Sequence, residues 1–131
     1  MPLNNVRKEV MLTLEKDIEA TFGQFLIAPE EIWQPTDFLP NPQSDSFMDE
    51  VEEIRELSKE LDDDFWISLV GDMITEEALP TYESWLLDLD GINQHGEEKG
   101  WSSWIRRWTA EENRHGDVLN KYIYLSGRVN M

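Results

Sequence analysis

The sequence predicts an all-α protein, a bundle of amphipathic helices, and two observations support a folded helical chain. Apolar residues recur at helical spacing over long stretches. Hydrophobic residues make up 40% of the 131 positions, and six of them are tryptophan, which is typical of a folded core. The chain has no cysteine, so disulfides and thiolate ligands are excluded. Metal binding would therefore depend on His, Asp and Glu side chains.

Residues 1–61 are predicted to hold the N-terminal helices and a proline-rich connector. The connector is the segment 33–46, WQPTDFLPNPQSDS, which has three prolines and no helical period, so we expect it to be extended and ordered. Ser46, with Asp49 three residues later, predicts a capping box at the start of the next helix. The helices expected here run from Val6 to Phe22, where Gly23 interrupts the first, and from Phe47 to Leu61.

Residues 62–131 are predicted to form two long antiparallel helices, joined by a polar loop around His95. The first should begin after three consecutive aspartates and continue to about Leu89, with Pro80 breaking one hydrogen bond and kinking it. Each helix has an apolar line of side chains with a carboxylate in its middle. These lines are Trp66, Leu69, Met73, Glu76, Pro80, Glu83 and Leu87, and Trp101, Ile105, Trp108, Glu112, His115, Leu119 and Tyr122.

Glu76, Glu112 and His115 are candidate metal ligands. A buried, uncompensated carboxylate costs several kcal/mol, and a metal ion would compensate it. Glu-x-x-His is the spacing of inward-facing di-iron ligands in helix bundles, although on spacing alone it also fits a surface pair or a hydrogen-bonded core histidine. Counted from His95, Glu76 lies 19 positions before the loop centre and the other two lie 17 and 20 after it. At 1.5 Å per residue, all three side chains reach the same height.

The net charge of −17 disfavours nucleic acid as a partner, because phosphates would be repelled, and no apolar run approaches the ~20 residues of a membrane span. The charge is uneven, because residues 99–131 carry six basic and three acidic residues while the other 98 carry five and 25. Arg106 and Arg107 belong to this basic region. They predict either a docking surface for an acidic partner or a solvated helix face.

Three stretches resemble the soluble acyl-carrier-protein desaturases of the stearoyl Δ9 type. They are WQPTDFLPNP at 33–42, LVGDMITEEALPTY at 69–82 and TAEENRHGDVLNKYIYLSGRVNM at 109–131, and the likeness covers nearly the whole chain. The resemblance implies a ferritin-like helical bundle of the di-iron carboxylate type, usually a homodimer. It also implies fatty acid biosynthesis, in which O₂ and electrons from reduced ferredoxin introduce a cis double bond into a saturated acyl chain on acyl carrier protein.

Site residues follow from the resemblance position by position. Glu76 matches a terminal iron ligand, Glu112 a carboxylate that bridges two Fe²⁺ ions, and His115 a ligand on the same iron as Glu76. Trp33 matches a tryptophan on an electron path towards the irons. Acyl carrier protein would be the acidic partner for the two arginines of the basic region.

The chain departs from the family pattern because it has no second Glu-x-x-His, and so supplies three of six expected ligands. We therefore expect residues 1–131 to be a single-domain N-terminal fragment of a desaturase, inactive alone. A ferritin-like iron-binding protein, with a symmetric site built from two copies, is the alternative, and a helical remnant without chemistry is a third. The start of the chain is not Arg/Ser-rich, which predicts a bacterial cytoplasm, with the plastid stroma as the alternative.

Overall fold

The computed structural model describes residues 3–92 and 100–131, and the described chain is helical, with no strand in either range. This confirms the all-α prediction. None of the described helices combines the length and the apolar character that a membrane crossing requires. The predicted loop around His95 lies outside the described residues. The helices are α1 (Leu3–Phe25), α2 (Phe47–Ser58), α3 (Asp63–Leu87) and α4 (Gly100–Ser126), with short 3₁₀ helices at Pro29–Glu31 and Pro35–Asp37.

The chain divides into two compact units, and α3 and α4 each contribute to both. The first unit contains Met1–Ile32 and Leu79–Glu111, and the second contains Trp33–Ala78 and Glu112–Met131. The division of one domain into residues 1–61 and 62–131 stays a prediction.

In the first unit, α1 packs against the beginning of α4. Trp101 Nε1 donates a hydrogen bond to the Met11 carbonyl at 3.0 Å, and the rings of Phe22 and Trp104 stack with centroids 6.1 Å apart. The predicted interruption of the first helix at Gly23 is wrong, since α1 continues to Phe25. One glycine costs a helix only about 1 kcal/mol, which tertiary packing overrides.

Pro80 does not end α3, which continues for a further seven residues to Leu87. A proline inside a helix removes one backbone donor, but the other hydrogen bonds and the packed side chains hold the remaining turns. The helix begins one residue after Asp62, whose Oδ1 accepts a hydrogen bond from Phe65 N at 2.9 Å. The aspartates therefore cap α3 as well as place negative charge at its N-terminus.

The predicted capping box at Ser46 does not form. Its hydroxyl makes no cap hydrogen bond and donates instead to Glu50 Oε1 at 2.5 Å, four residues along α2. The helix itself starts at Phe47 as predicted but ends at Ser58, three residues before the expected end. The motif therefore predicted the start of α2 correctly, although Ser46 makes a different side-chain contact from the one predicted.

The core of the second unit forms where α3 meets the last part of α4. Trp66 stacks on Tyr122 with ring centroids 5.9 Å apart, and the guanidinium of Arg128 lies 5.8 Å from the Trp66 ring while it also pairs with Asp63. These contacts surround Ile123, which is fully buried. The core residues are Trp66, Met73 and Ile123, flanked by Leu61, Leu69, Val70, Leu119, Tyr122 and Val129.

The C-terminal end of α4 is capped from α2. Arg55 Nε donates to the Leu125 carbonyl at 3.2 Å, and Ser58 Oγ lies 3.4 Å from the Ser126 carbonyl, although its shorter hydrogen bond, at 2.9 Å, is to the Arg55 carbonyl of α2. The Leu125 and Ser126 carbonyls belong to the last turn of α4, where no helical donor is available. Gly127 then adopts a left-handed backbone, with φ of 66°, which turns the chain away from the helix axis.

The buried side of α4 differs by about one residue from the predicted line. Of that line only Ile105 is fully buried, while Glu112, His115 and the others are half-buried. The buried residues of α4 form a line along the helix, which we call the buried seam. Most of them are small, and some lie seven positions apart in the sequence. Small side chains let a helix backbone approach its neighbour closely, and the larger aromatic residues then flank the seam. The buried seam is Ser102, Ile105, Thr109, Gly116, Ile123 and Ser126.

Candidate metal centre

The candidate ligands lie where α3 and α4 face each other in the second unit. The predicted line of α3 is confirmed, because its members are all buried or half-buried. This periodicity turns Glu76 towards α4. On α4, Glu112 and His115 lie three residues apart, and so on the same side of the helix. Three side chains from distant parts of the sequence are thereby brought together.

The three side chains form a compact cluster. His115 Nδ1 lies 3.0 Å from Glu112 Oε2 and 3.8 Å from Glu76 Oε2. One ligand atom from each residue lies within 4.8 Å of the other two, and this is the only group of that kind in the described residues. Nδ1 is thus the imidazole nitrogen that faces both carboxylates.

The electrostatics of the cluster disfavour a metal-free, fully ionised state. Burial raises the pKa of Glu76 above its usual value, and the adjacent Glu112 carboxylate raises it further, while His115 acts in the opposite direction. The Oε2 atom of Glu76 is buried and meets no hydrogen-bond donor among the described residues. A buried oxygen of this kind costs free energy that a bound cation would recover.

These residues fit a metal ion of the iron type. Two atoms that bind one ion at roughly 2.1 Å lie at most about 4.2 Å apart, and both measured separations from His115 Nδ1 satisfy this limit. Carboxylate oxygens and an imidazole are ligands that suit iron. With three protein ligands, further coordination positions are left for other groups.

Trp33 lies directly beside the cluster. Its ring stacks on that of His115 with centroids 5.6 Å apart and an angle of 16° between the planes. The Arg114 guanidinium lies 5.5 Å from the centroid of the Trp33 ring. The Phe38 ring also packs against the Trp33 ring, in an edge-on arrangement with centroids 5.5 Å apart. A capping box orders the connector locally at the 3₁₀ helix Pro35–Asp37. In it, Gln34 N donates a hydrogen bond to Asp37 Oδ2 at 2.7 Å.

Arg106 and Arg107 are exposed on the first part of α4 and belong to the other compact unit, so they are not part of the metal cluster. A residue that sequence reasoning missed is Asn120, whose Nδ2 donates to Glu77 Oε1 at 2.5 Å and ties α4 to α3. Gly116 was also missed. The signal that points to Gly116 is the buried seam of small residues, which the large aromatic residues obscured.

Comparison with known proteins gives a consistent result. A family model described as fatty acid desaturase matches residues 6–131. Stearoyl-[acyl-carrier-protein] 9-desaturase 5, chloroplastic, from Arabidopsis thaliana is 55% identical over 125 residues, which are 94% of this chain and 32% of that protein. The 9-desaturase 2, chloroplastic, from Oryza sativa subsp. indica is 61% identical over 104 residues, which are 78% and 26%. The chain therefore spans about a third or less of the length of these relatives.

These matches decide between earlier alternatives. They favour the desaturase interpretation over an iron-binding protein assembled from two copies. The expectation of a bacterial cytoplasm is wrong, since the relatives are plant proteins named as chloroplastic. That expectation rested on the composition of the first residues, which carries no information on compartment when a chain aligns with only part of its relatives.

Replacement of Glu76 by glutamine should stabilise the metal-free protein at pH 7 and weaken metal binding. Because the folded-state pKa of Glu76 is raised, the protonated form contributes stability at low pH, and this contribution is lost as the pH rises through the folded-state pKa. Glutamine is neutral at every pH, so it avoids that loss. We expect a higher urea midpoint at pH 7 and at least tenfold weaker Co²⁺ binding.

Glu53→Gln is the matched control, because it removes the same charge from an exposed position on α2. It should change neither the urea midpoint nor Co²⁺ binding appreciably. If Glu76→Gln were less stable than its parent at pH 7, the conclusion that the ionised Glu76 carboxylate destabilises the folded protein would be contradicted.

Proposed function

Because this chain belongs to the fatty acid desaturase family, we propose that it is part of an acyl-[acyl-carrier-protein] desaturase. The family has a ferritin-like helical fold, and the helices in the described residues of this chain form a part of that fold. The observation that carries the proposal is the cluster of Glu76, Glu112 and His115 in a chain 55% identical to a stearoyl-[acyl-carrier-protein] 9-desaturase. The activity is that of the complete protein, since the chain spans about a third of such relatives.

The proposed reaction removes two hydrogens from a saturated acyl chain on acyl carrier protein and forms a cis double bond. Two electrons from the acyl chain, two from reduced ferredoxin and four protons in total reduce one O₂ to two waters. The complete protein would act as a homodimer in the plastid stroma, a compartment supported by the names of its relatives. Light scattering on the complete protein and fractionation of the source tissue test these two points.

Two Fe²⁺ ions per subunit are the proposed cofactor, and this chain would hold them with half of the ligands. Glu76 would be a terminal ligand, His115 would bind the same iron through Nδ1, and Glu112 would bridge. Bound iron supplies the O₂ chemistry needed for an unactivated C–H bond, which no side chain provides. The three side chains would hold the metal between α3 and α4, where each of them is half-buried.

Glu112→Ala in the complete protein should abolish nearly all turnover and lower the iron content. Alanine removes the carboxylate proposed to bridge, and so leaves Glu76 and His115 as the remaining members of the three-residue cluster. Iron analysis together with gas chromatography of the fatty acids formed from acyl-[acyl-carrier-protein] measures both effects. Glu53→Ala, at an exposed site on α2, is the control and should retain both iron and activity. Parental iron content and turnover in Glu112→Ala would refute the bridging role.

We propose that Trp33 carries electrons towards the metal centre, and the support is its stack on His115. Trp33→Leu should slow reduction of the iron by reduced ferredoxin at least tenfold while iron content stays at the parental level. Stopped-flow absorbance measures that rate. A small-molecule reductant that reaches the centre directly should reduce both proteins equally fast. An unchanged rate with ferredoxin would remove Trp33 from the path.

Arg106 and Arg107 are proposed to dock acyl carrier protein, an acidic partner, through their exposed positive charges. Arg106→Glu with Arg107→Glu should raise KM for acyl-[acyl-carrier-protein] about tenfold or more at low salt, and the difference should shrink at high salt because screening removes it. The control reverses the exposed pair Arg7 and Lys8, which gives the same change in net charge. An equal rise of KM in both double variants would assign the effect to net charge rather than to this surface.

A further inference from the structure

The backbone of α4 touches α3 at one residue beside the metal ligands. Gly116 is buried, one residue after His115 and four after Glu112. A Cβ atom at Gly116 would lie 3.2 Å from both Cγ and the backbone N of Glu77, and 3.3 Å from the backbone carbon of Glu76. Two of these three atoms are backbone and cannot rotate away. Any larger residue at this position would therefore separate the two helices by a few tenths of an ångström.

We propose that Gly116 is a positioning residue of the metal centre, an inference that rests on the proposed function. Its missing side chain fixes the spacing of α3 and α4 at the height of the ligands, so that Glu76 reaches an ion held by Glu112 and His115. The spacing matters because ligand distances at metal sites tolerate about ±0.2 Å. Glu76 Oε2 and His115 Nδ1, at 3.8 Å, already lie near the limit of about 4.2 Å for two atoms on one ion.

A second contact holds the helices at this spacing. The Asn120 amide, one turn after Gly116, donates to Glu77 Oε1 at 2.5 Å. That hydrogen bond draws the Glu77 side chain along α4, and its methylene lies over the position where a Cβ of residue 116 would be. The Asn120–Glu77 hydrogen bond and the absence of a side chain at Gly116 therefore both favour close approach of α3 and α4, at adjacent turns of α4.

Gly71 offers a matched control for Gly116. It lies in the middle of α3, in the same compact unit, and a Cβ there would meet nothing within 4 Å. Alanine at either position gains the same helix propensity. Only Gly116→Ala adds an unfavourable contact, so the difference between the two variants isolates the spacing of the helices.

The test compares Co²⁺ binding in the complete protein with these two variants. Gly71→Ala should raise the Tm and keep the parental Co²⁺ affinity and d–d absorption spectrum. Gly116→Ala should bind Co²⁺ about tenfold or more weakly, as expected when the support of a ligand is disturbed, and should change the d–d spectrum because the coordination geometry changes. A merely structural role would lower the Tm and leave the spectrum of the bound metal unaltered.

Asn120→Asp tests the same spacing without added volume. Its carboxylate would repel Glu77, which should weaken Co²⁺ binding even though the extra negative charge attracts a cation. Parental affinity and spectrum in both Gly116→Ala and Asn120→Asp would overturn the inference. Absence of Co²⁺ binding in the parent would instead overturn the proposed metal centre itself, so the two failures are distinguishable.

Discussion

The main electrostatic constraint in the second unit is the placement of the Glu76 and Glu112 carboxylates beside each other in a half-buried position. Without a cation, burial raises the pKa of Glu76 and the neighbouring Glu112 carboxylate raises it further, while Glu76 Oε2 meets no hydrogen-bond donor among the described residues. The apolar packing of Trp66, Met73 and Ile123 offsets this cost within the same unit. Local sacrifice of stability of this kind is common at functional sites.

The surroundings of the carboxylates are organised in layers. His115 lies against both of them, and Trp33 lies against His115, so an aromatic surface covers the imidazole. Beside the candidate ligands, Asn120 and Gly116 lie where α4 approaches α3 closely. These residues come from the connector, α3 and α4 of a chain that belongs to the fatty acid desaturase family.

Sequence patterns predicted the helices and the identity of the three clustered side chains. The α3 line was correct because Trp66, Leu69 and Met73 fill the core at helical spacing. The α4 line was displaced because hydropathy favours large residues such as Trp108, whereas close packing of two backbones selects small ones such as Thr109. Asn120 could not be found in this way, since its role depends on a partner 43 positions away in the sequence.

The division of the second unit between two stretches of sequence has a consequence for synthesis. Trp33–Ala78 and Glu112–Met131 form one compact unit, but the ribosome must make Leu79–Glu111 between them. At about 5–20 residues per second, the first stretch waits roughly 2–7 s before the rest of its core begins to be made. During that interval Trp66 and Met73 lack their packing partners from α4, which include Ile123. The cluster of Glu76, Glu112 and His115 can assemble only after this delay.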